Sequence, residues 1–501
     1  MGWPVAIVFG ILRCMCDDSG MAESIYWYDL ETTGTDPARD RAIQFAGIRT
    51  DLDLNVISEP VNLFCYPGDD VVPAPDAIAV TGIQMSELPQ RGLRETDFIA
   101  AILTEFSQPG TCVSGFNSIR FDDEFTRNTL YRNFLDPYAR EWQGGNSRWD
   151  VIDMFRMAQA LRPEGFHWPE REPGVPSFKL ELLTQANHVG HANAHDAVAD
   201  VIATIEVTKK LRQAQGKLYD YLFNLRRKGP LRDQLYPLGK SAIVHVSSMY
   251  PAQRGCLAVV LPLCAHPTNP NGIICFDLSE DPTELIRIGP EELYRRVFST
   301  RQVLEAEELS RIPLKTIHVN RCPAIAPLAT LKGQEQRLGL DVAQCLVHMR
   351  QLQRASGIVE KITEAFARNE YPMTDDPDLM LYQGGFFGTA DKELMTEVRL
   401  AAPAELSRFS GRFQDARLDE MLFRYRARNF PESLTPTERQ RWDAWRWEHW
   451  SQGEQLLTAE ARLQALQQTQ GEQACLTDLQ SYLLKLRSGF DLHGLPSVPG
   501  A

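Results

Sequence analysis

Four acidic residues and one histidine have the types and spacing of a phosphodiester-cutting site. They are Asp29 and Glu31 in YDLETTG, Asp122 in GFNSIRFDDEF, and His195 with Asp200 in NAHDAVADV. On a strand, residues two apart point to the same face, and paired carboxylates suit hard divalent cations. A half-exposed strand can carry two acids without any site. The Thr32-Thr33-Gly34 that follows favours chemistry, because glycine permits a tight turn and the Thr32 hydroxyl or a nearby amide can reach a substrate end. Asp122 opens a helix just after a short apolar strand, preceded by Asn117 and Phe121. Its neighbours Asp123 and Glu124 read as first-turn acids favoured by the helix dipole. If a helix begins near His195, Asp200 lies about one and a half turns in. It can then ligate a metal beneath the imidazole, with Asp196 facing elsewhere. His188 and His191 carry no such argument. The chemistry is hydrolysis with two Mg²⁺ or Mn²⁺ ions about 4 Å apart. Asp29 would bridge them, and Glu31, Asp122 and Asp200 would complete the shells. His195, with an ordinary pKa near ~6.5, would take the water's proton.

The elements that must position these groups are legible in outline. SIYWYDLE, AIQFAGIRTD and PVNLFCYP read as strands separated by turn residues. ETDFIAAILTEF, FDDEFTRNTLYRNF and SRWDVIDMFRMAQALRP read as helices, SFKLELLTQANHV as a helix capped by Ser177, and AHDAVADVIATIEVTKKLRQ as a long helix. A mixed sheet flanked by helices is therefore expected for residues 21–215. Residues 206–240 are locally basic and look like a connector. Residues 241–325 return to strand texture, and the chain is helical from about residue 333 onward.

Composition bounds the rest. A chain of 501 residues has room for about three domains. The formal net charge of -14 means that any surface for nucleic acid is local rather than global. Ten scattered cysteines without a CxxC pair argue against a zinc ribbon and for a reducing, cytoplasmic setting. The apolar run from Pro4 to Leu12 is far shorter than a membrane span, and no membrane association is expected. Residues 1–20 are expected to be an unstructured N-terminal extension, with the folded pattern beginning after Met21.

The five residues, with YDLETTGTDPARDRAIQFAGIRTD, NSRWDVIDMFRMAQALRPEG, PSFKLELLTQAN, VHVSSMYPAQRG, HVNRCP and LFRYRARNFP, resemble the histidine-bearing (DEDDh) branch of the DEDD exonuclease superfamily. Within it, they resemble the bacterial exodeoxyribonuclease I family. The resemblance covers residues 21–435 most clearly. It implies an α/β fold: an RNase H-like nuclease domain (21–215), an SH3-like β domain with connecting helices (216–370) and a C-terminal α-helical domain (371–501), closing as a C-shaped clamp. It implies a 3′→5′ exonuclease that degrades single-stranded DNA processively to 5′-mononucleotides, acts as a monomer, and serves DNA repair and recombination. Arg127, Tyr138, Trp142, Arg156, Ser177 and Lys179, beside Thr32, fall at the family's DNA contacts; cations for phosphates and aromatics for unpaired bases suit that role. Lys179 replaces the usual arginine and loses its bidentate fork. Arg162, Tyr221 and Lys332 match contacts to the acidic C-terminal tail of single-stranded DNA-binding protein, although Lys332 replaces an arginine and Pro327 a glutamine. Two other readings stay open: a 3′ exoribonuclease, since the same five residues serve RNA, and a catalytically dead scaffold on single-stranded DNA.

Overall fold

The computed structural model describes residues 23–190, 196–370, 372–450, 453–471 and 473–491, the side chains of 489–491 aside. The expected extension, His191 and His195 lie outside the described residues.

Six strands form the first sheet: β1 (Ser24–Thr32), β2 (Ala42–Thr50), β3 (Val61–Tyr66), β4 (Leu93–Arg94), β5 (Thr111–Gly115) and β6 (Ser147–Asp150), in the order β4-β3-β2-β1-β5-β6. β1 pairs antiparallel with β2 and parallel with β5, so it is central. Its alternation divides the core. Tyr26, Tyr28 and Leu30 pack with Phe98, Ile102, Phe106 and Phe125. Ile25 and Trp27 pack on the other face with Ala197, Val201 and Ile205 of the helix Ala197–Leu225. Asp29 and Glu31 continue the second face, toward the start of that helix. The register slips between Glu31 and Thr32, and such an irregularity re-aims side chains at a strand end.

Two local expectations change. SRWD is not the start of a helix but β6, a buried edge of the sheet paired parallel with β5; the helix begins at Ile152. Ser177 does not cap the next helix, which spans Leu180–Ala186 with Lys179 at its N-cap. Ser177 instead ends a small hairpin of β7 (Glu170–Glu172) and β8 (Val175–Pro176), its amide donating to the Pro169 carbonyl.

The helix Ala197–Leu225 bends at Gln215 and leads through Lys228–Leu235 into a second sheet. Its strands are β9 (Ile243–Val246), β10 (Leu257–Ala265), β11 (Gly272–Asp277), β12 (Leu314–His318) and β13 (Ile325–Pro327), ordered β12-β11-β10-β9-β13 and all antiparallel. Between β11 and β12 lie short helices, among them Pro290–Phe298, within the stretch 241–325 whose texture indicated strands. The remaining chain is helical. The helix Arg417–Asn429 packs Leu418, Leu422 and Tyr425 against Tyr131 and Phe134. Helices Glu454–Gln470 and Ala474–Asp491 cover Ile43, Ile78 and Leu88. Each large apolar side chain so buried contributes about 1.5–3 kcal/mol.

Candidate active site

Three of the four expected acids converge. Asp29 and Glu31 from β1 and Asp200 from the helix Ala197–Leu225 place carboxylate oxygens within 4.8 Å of one another. Asp196 is the N-cap of that helix and accepts a hydrogen bond from the Ala199 amide at 3.1 Å. The cap sets where the first turn begins, and so where Asp200 points. Asp122 joins from the opposite side: it starts the helix Asp122–Arg132, is buried, and accepts the Leu30 amide at 3.1 Å. Leu30 lies between Asp29 and Glu31, so Asp122 is tied to the same stretch of strand. His195 lies outside the described residues.

The electrostatics fit a cation site. Burial, then the charge of Asp200, pushes the Asp29 carboxyl up to about 8. Burial, then Asp29 and Asp200, pushes Glu31 up to about 9. Burial and Asp29 hold Asp122 well above the usual carboxylate range. Converging carboxylates that resist ionisation together are relieved by a hard divalent cation, which accepts oxygen donors alone.

The expected DNA contacts separate into exposed and buried groups. Trp142 is 66% exposed, at the surface rather than in a core. Lys179 is exposed, 3.7 Å from Glu181. Tyr138 is half-buried, and Ser177 and Thr32 are buried, the Thr32 hydroxyl donating to the Gly34 carbonyl at 2.7 Å. Arg156 is buried, paired with Asp153 at 2.6 Å. Arg127 is also buried, held bidentate by Glu141 at 2.8 and 2.9 Å. The expected tail contacts meet along one segment: Arg162 donates to the Thr330 carbonyl at 3.0 Å and Tyr221 to the Ile325 carbonyl at 3.1 Å, close in sequence to exposed Lys332.

Asp123 corrects a sequence expectation. It stands in the first turn of its helix, but the helix dipole is not its main partner: it is buried and accepts from Arg140 at 2.6 Å, Arg148 at 2.7 Å and the Tyr28 hydroxyl at 2.8 Å. Burial alone would raise its pKa, but Arg140 and Arg148 pull it well below the usual range. A cavity of about 640 Å³ opens beside Trp142, lined among others by Arg226, Arg227, Lys228, Arg321 and Tyr382. The first three belong to the basic connector, so their signal was present; nothing local marked Arg321 or Tyr382.

Family models match nearly the whole described chain: "Exonuclease" over residues 26–208, "Exonuclease I SH3-like domain" over 226–368 and "Exonuclease I C-terminal domain" over 375–486. Exodeoxyribonuclease I of Haemophilus influenzae is 44% identical over 425 residues, covering 84% of this chain and 90% of the relative. The chain belongs to the exodeoxyribonuclease I family. It is accordingly an exonuclease, a hydrolase of a kind that needs divalent metals, built from an RNase H-like nuclease domain, an SH3-like domain and a helical C-terminal domain. Escherichia coli Exonuclease I in complex with a dA16 oligonucleotide superposes with a TM-score of 0.89 at 41% identity, over 93% of this chain and 100% of that one. An ExoI/SSB-Ct complex gives 0.87 at 40% identity, again over 93% and 100%. No helix among the described residues is long and apolar enough to cross a membrane, and their cysteines are all free thiols.

Proposed function

We propose that this chain degrades single-stranded DNA from its 3′ end to 5′-mononucleotides, as a cytoplasmic monomer in DNA repair and recombination. The observation that carries the reading is the convergence of Asp29, Glu31 and Asp200 at the end of β1, in a chain that spans nearly all of its relatives' length. Asp29, Glu31, Asp122 and Asp200 would hold two Mg²⁺ ions, with Mn²⁺ as a substitute; an all-carboxylate set favours these over softer metals. When bound, such ions lower the pKa of a water and offset charge on the leaving 3′ oxygen. His195, one residue before the cap Asp196, takes the proton of the attacking water. Trp142 and Tyr138 offer faces for unpaired bases and Lys179 a charge for phosphate. Thr32 and Ser177 lie close in sequence to the groups that meet the strand end. Arg127 and Arg156 sit in ion pairs, and contact with phosphate requires them to exchange a partner. The acidic tail of single-stranded DNA-binding protein docks at Arg162, Tyr221 and Lys332. The division at residues 215/216 and 370/371 belongs to the same proposal.

Release of mononucleotides from oligo-dT and oligo-U in Mg²⁺ tests the reading. The expected result is faster release from oligo-dT, reduced about 10³-fold in His195→Ala. Faster cleavage of oligo-U would move the substrate to RNA. Binding of oligo-dT without cleavage in Mg²⁺ or Mn²⁺ would leave a scaffold.

A further inference from the structure

One carboxylate joins three parts of the molecule beside the 640 Å³ cavity, through Arg127, Arg321 and Tyr382 of its lining. Glu124, on the helix Asp122–Arg132, accepts from the hydroxyl of Tyr382, which precedes the C-terminal helices. It accepts from Arg127 at 3.2 Å, and from Arg321, which follows β12 of the second sheet, at 3.3 Å. Arg127 also donates to the Tyr382 hydroxyl at 3.1 Å. The nuclease domain, the SH3-like domain and the C-terminal domain are therefore stitched at a single anionic point.

The ties differ in strength. Arg127 is held independently by both oxygens of Glu141, so it stays in place whatever Glu124 does. Arg321 is 45% exposed where Glu124 is 12% exposed, and Tyr382 is exposed. These two partners reach Glu124 from other domains and face the cavity from the solvent side. Arg226, Arg227 and Lys228 line the same cavity, which makes it attractive to a polyanion. A phosphodiester offers what Glu124 offers, an anionic acceptor for a guanidinium and a hydroxyl, and it can take a guanidinium bidentate.

We propose that Glu124 is the keystone of a latch: its carboxylate stands in for a strand phosphate, holding Arg321 and Tyr382 together across the channel until DNA takes them over. This rests on the single-stranded-DNA reading above. On entry of a strand, Arg321 and the Tyr382 hydroxyl exchange one oxyanion for another, and Glu124 keeps only Arg127, whose Nη1 exchanges the Tyr382 hydroxyl for phosphate. No bond is made or broken beyond these hydrogen bonds. The cross-domain tie is thus spent as the channel fills.

The test is stopped-flow association of fluorescein-labelled oligo-dT with the full chain in EDTA, which suppresses cleavage. Glu124→Gln removes the charge and keeps the shape. Tyr382→Phe removes one hydroxyl, keeps the ring and alters no charge, so any acceleration it gives is not electrostatic steering. Each is expected to associate about fivefold faster than the parent. The double variant is expected to be no faster than the faster single, because both break the same tie. Association that is unchanged or slower, acceleration confined to one single variant, or effects that multiply in the double variant would each overturn the latch. If the parent binds oligo-dT and the variants behave like it, only the latch fails. If the parent does not bind oligo-dT at all, the DNA reading fails first and the latch with it.

Discussion

Ionising Asp29 and Glu31 together costs the fold. Burial and Asp200 raise Asp29 to about 8, and burial, Asp29 and Asp200 raise Glu31 to about 9, so near neutral pH the metal-free protein holds carboxyl groups that the unfolded chain would ionise freely. Mg²⁺ or Mn²⁺ is therefore expected to raise the melting temperature, by about 2 °C or more. Asp29→Asn should melt higher than the parent in EDTA, gain little from metal, and lose activity. Calorimetry with and without EDTA checks the sign; a parent that melts identically with and without metal would remove the cation from this site. Lys179 offers a second residue-scale test. It is exposed, 3.7 Å from Glu181, and lacks the fork that an arginine brings to phosphate. Lys179→Arg is expected to raise kcat/KM on oligo-dT about threefold, read in steady-state kinetics at fixed salt.

At the scale of elements, the site depends on where one helix starts. Asp196 caps Ala197–Leu225, and losing such a cap costs about 1 kcal/mol. Asp196→Ala should fray the turn that carries Asp200 and lower kcat at least tenfold, while Asp196→Ser, which can still cap, should restore most of it. Equal activity in the two variants would dissociate the cap from catalysis. The placing of Asp29, Glu31, Asp122 and Asp200 was legible because strand alternation and helix spacing are local, while His195 lies outside the described residues. Asp29 and Glu31 share a face as the period of a strand requires, and Asp122 opens its helix as its place after β5 indicated. What escaped is set by distant partners or by short elements. SRWD has only β5 beside it to make it a strand, and its residues run into an apolar helix without a break. Asp123 looks like any first-turn acid until Arg140 and Arg148 reach it from a short 3-10 helix and a strand. Trp142 carries no local mark of standing at the rim of a cavity rather than in a core.

At the scale of the whole molecule, the motif LFRYRARNFP works as a fastener. Arg428 pairs with Asp70 at 2.7 Å and with Asp378, Arg41 pairs with the same Asp70 at 2.9 Å, and Arg424 pairs with Asp378 at 3.0 Å, all buried. Burial by itself would raise the Asp70 carboxyl, but Arg428 and Arg41 hold it well below its usual range; Arg428 and Arg424 do the same for Asp378. A depressed folded pKa gives stability that is fully present above the unfolded value, near ~3.9, and lost as pH falls toward the folded one. Thermal stability is expected to drop steeply below about pH 4. Asp70→Asn should cost about 3 kcal/mol at neutral pH and flatten that acid dependence. Melting curves between neutral pH and pH 3 read both effects; an acid profile unchanged by the substitution would place the acid-labile groups elsewhere.

The helix Ala197–Leu225 carries Asp200 near its first turn and Tyr221 near its last. About 30 Å of main chain at most separates them, with the bend at Gln215 between. Under the proposed function, the point where a partner hands over a strand and the point where that strand is cut are two marks on one ruler. Delivery then has a built-in length, and a residue inserted at the bend would shift the handover without touching the chemistry.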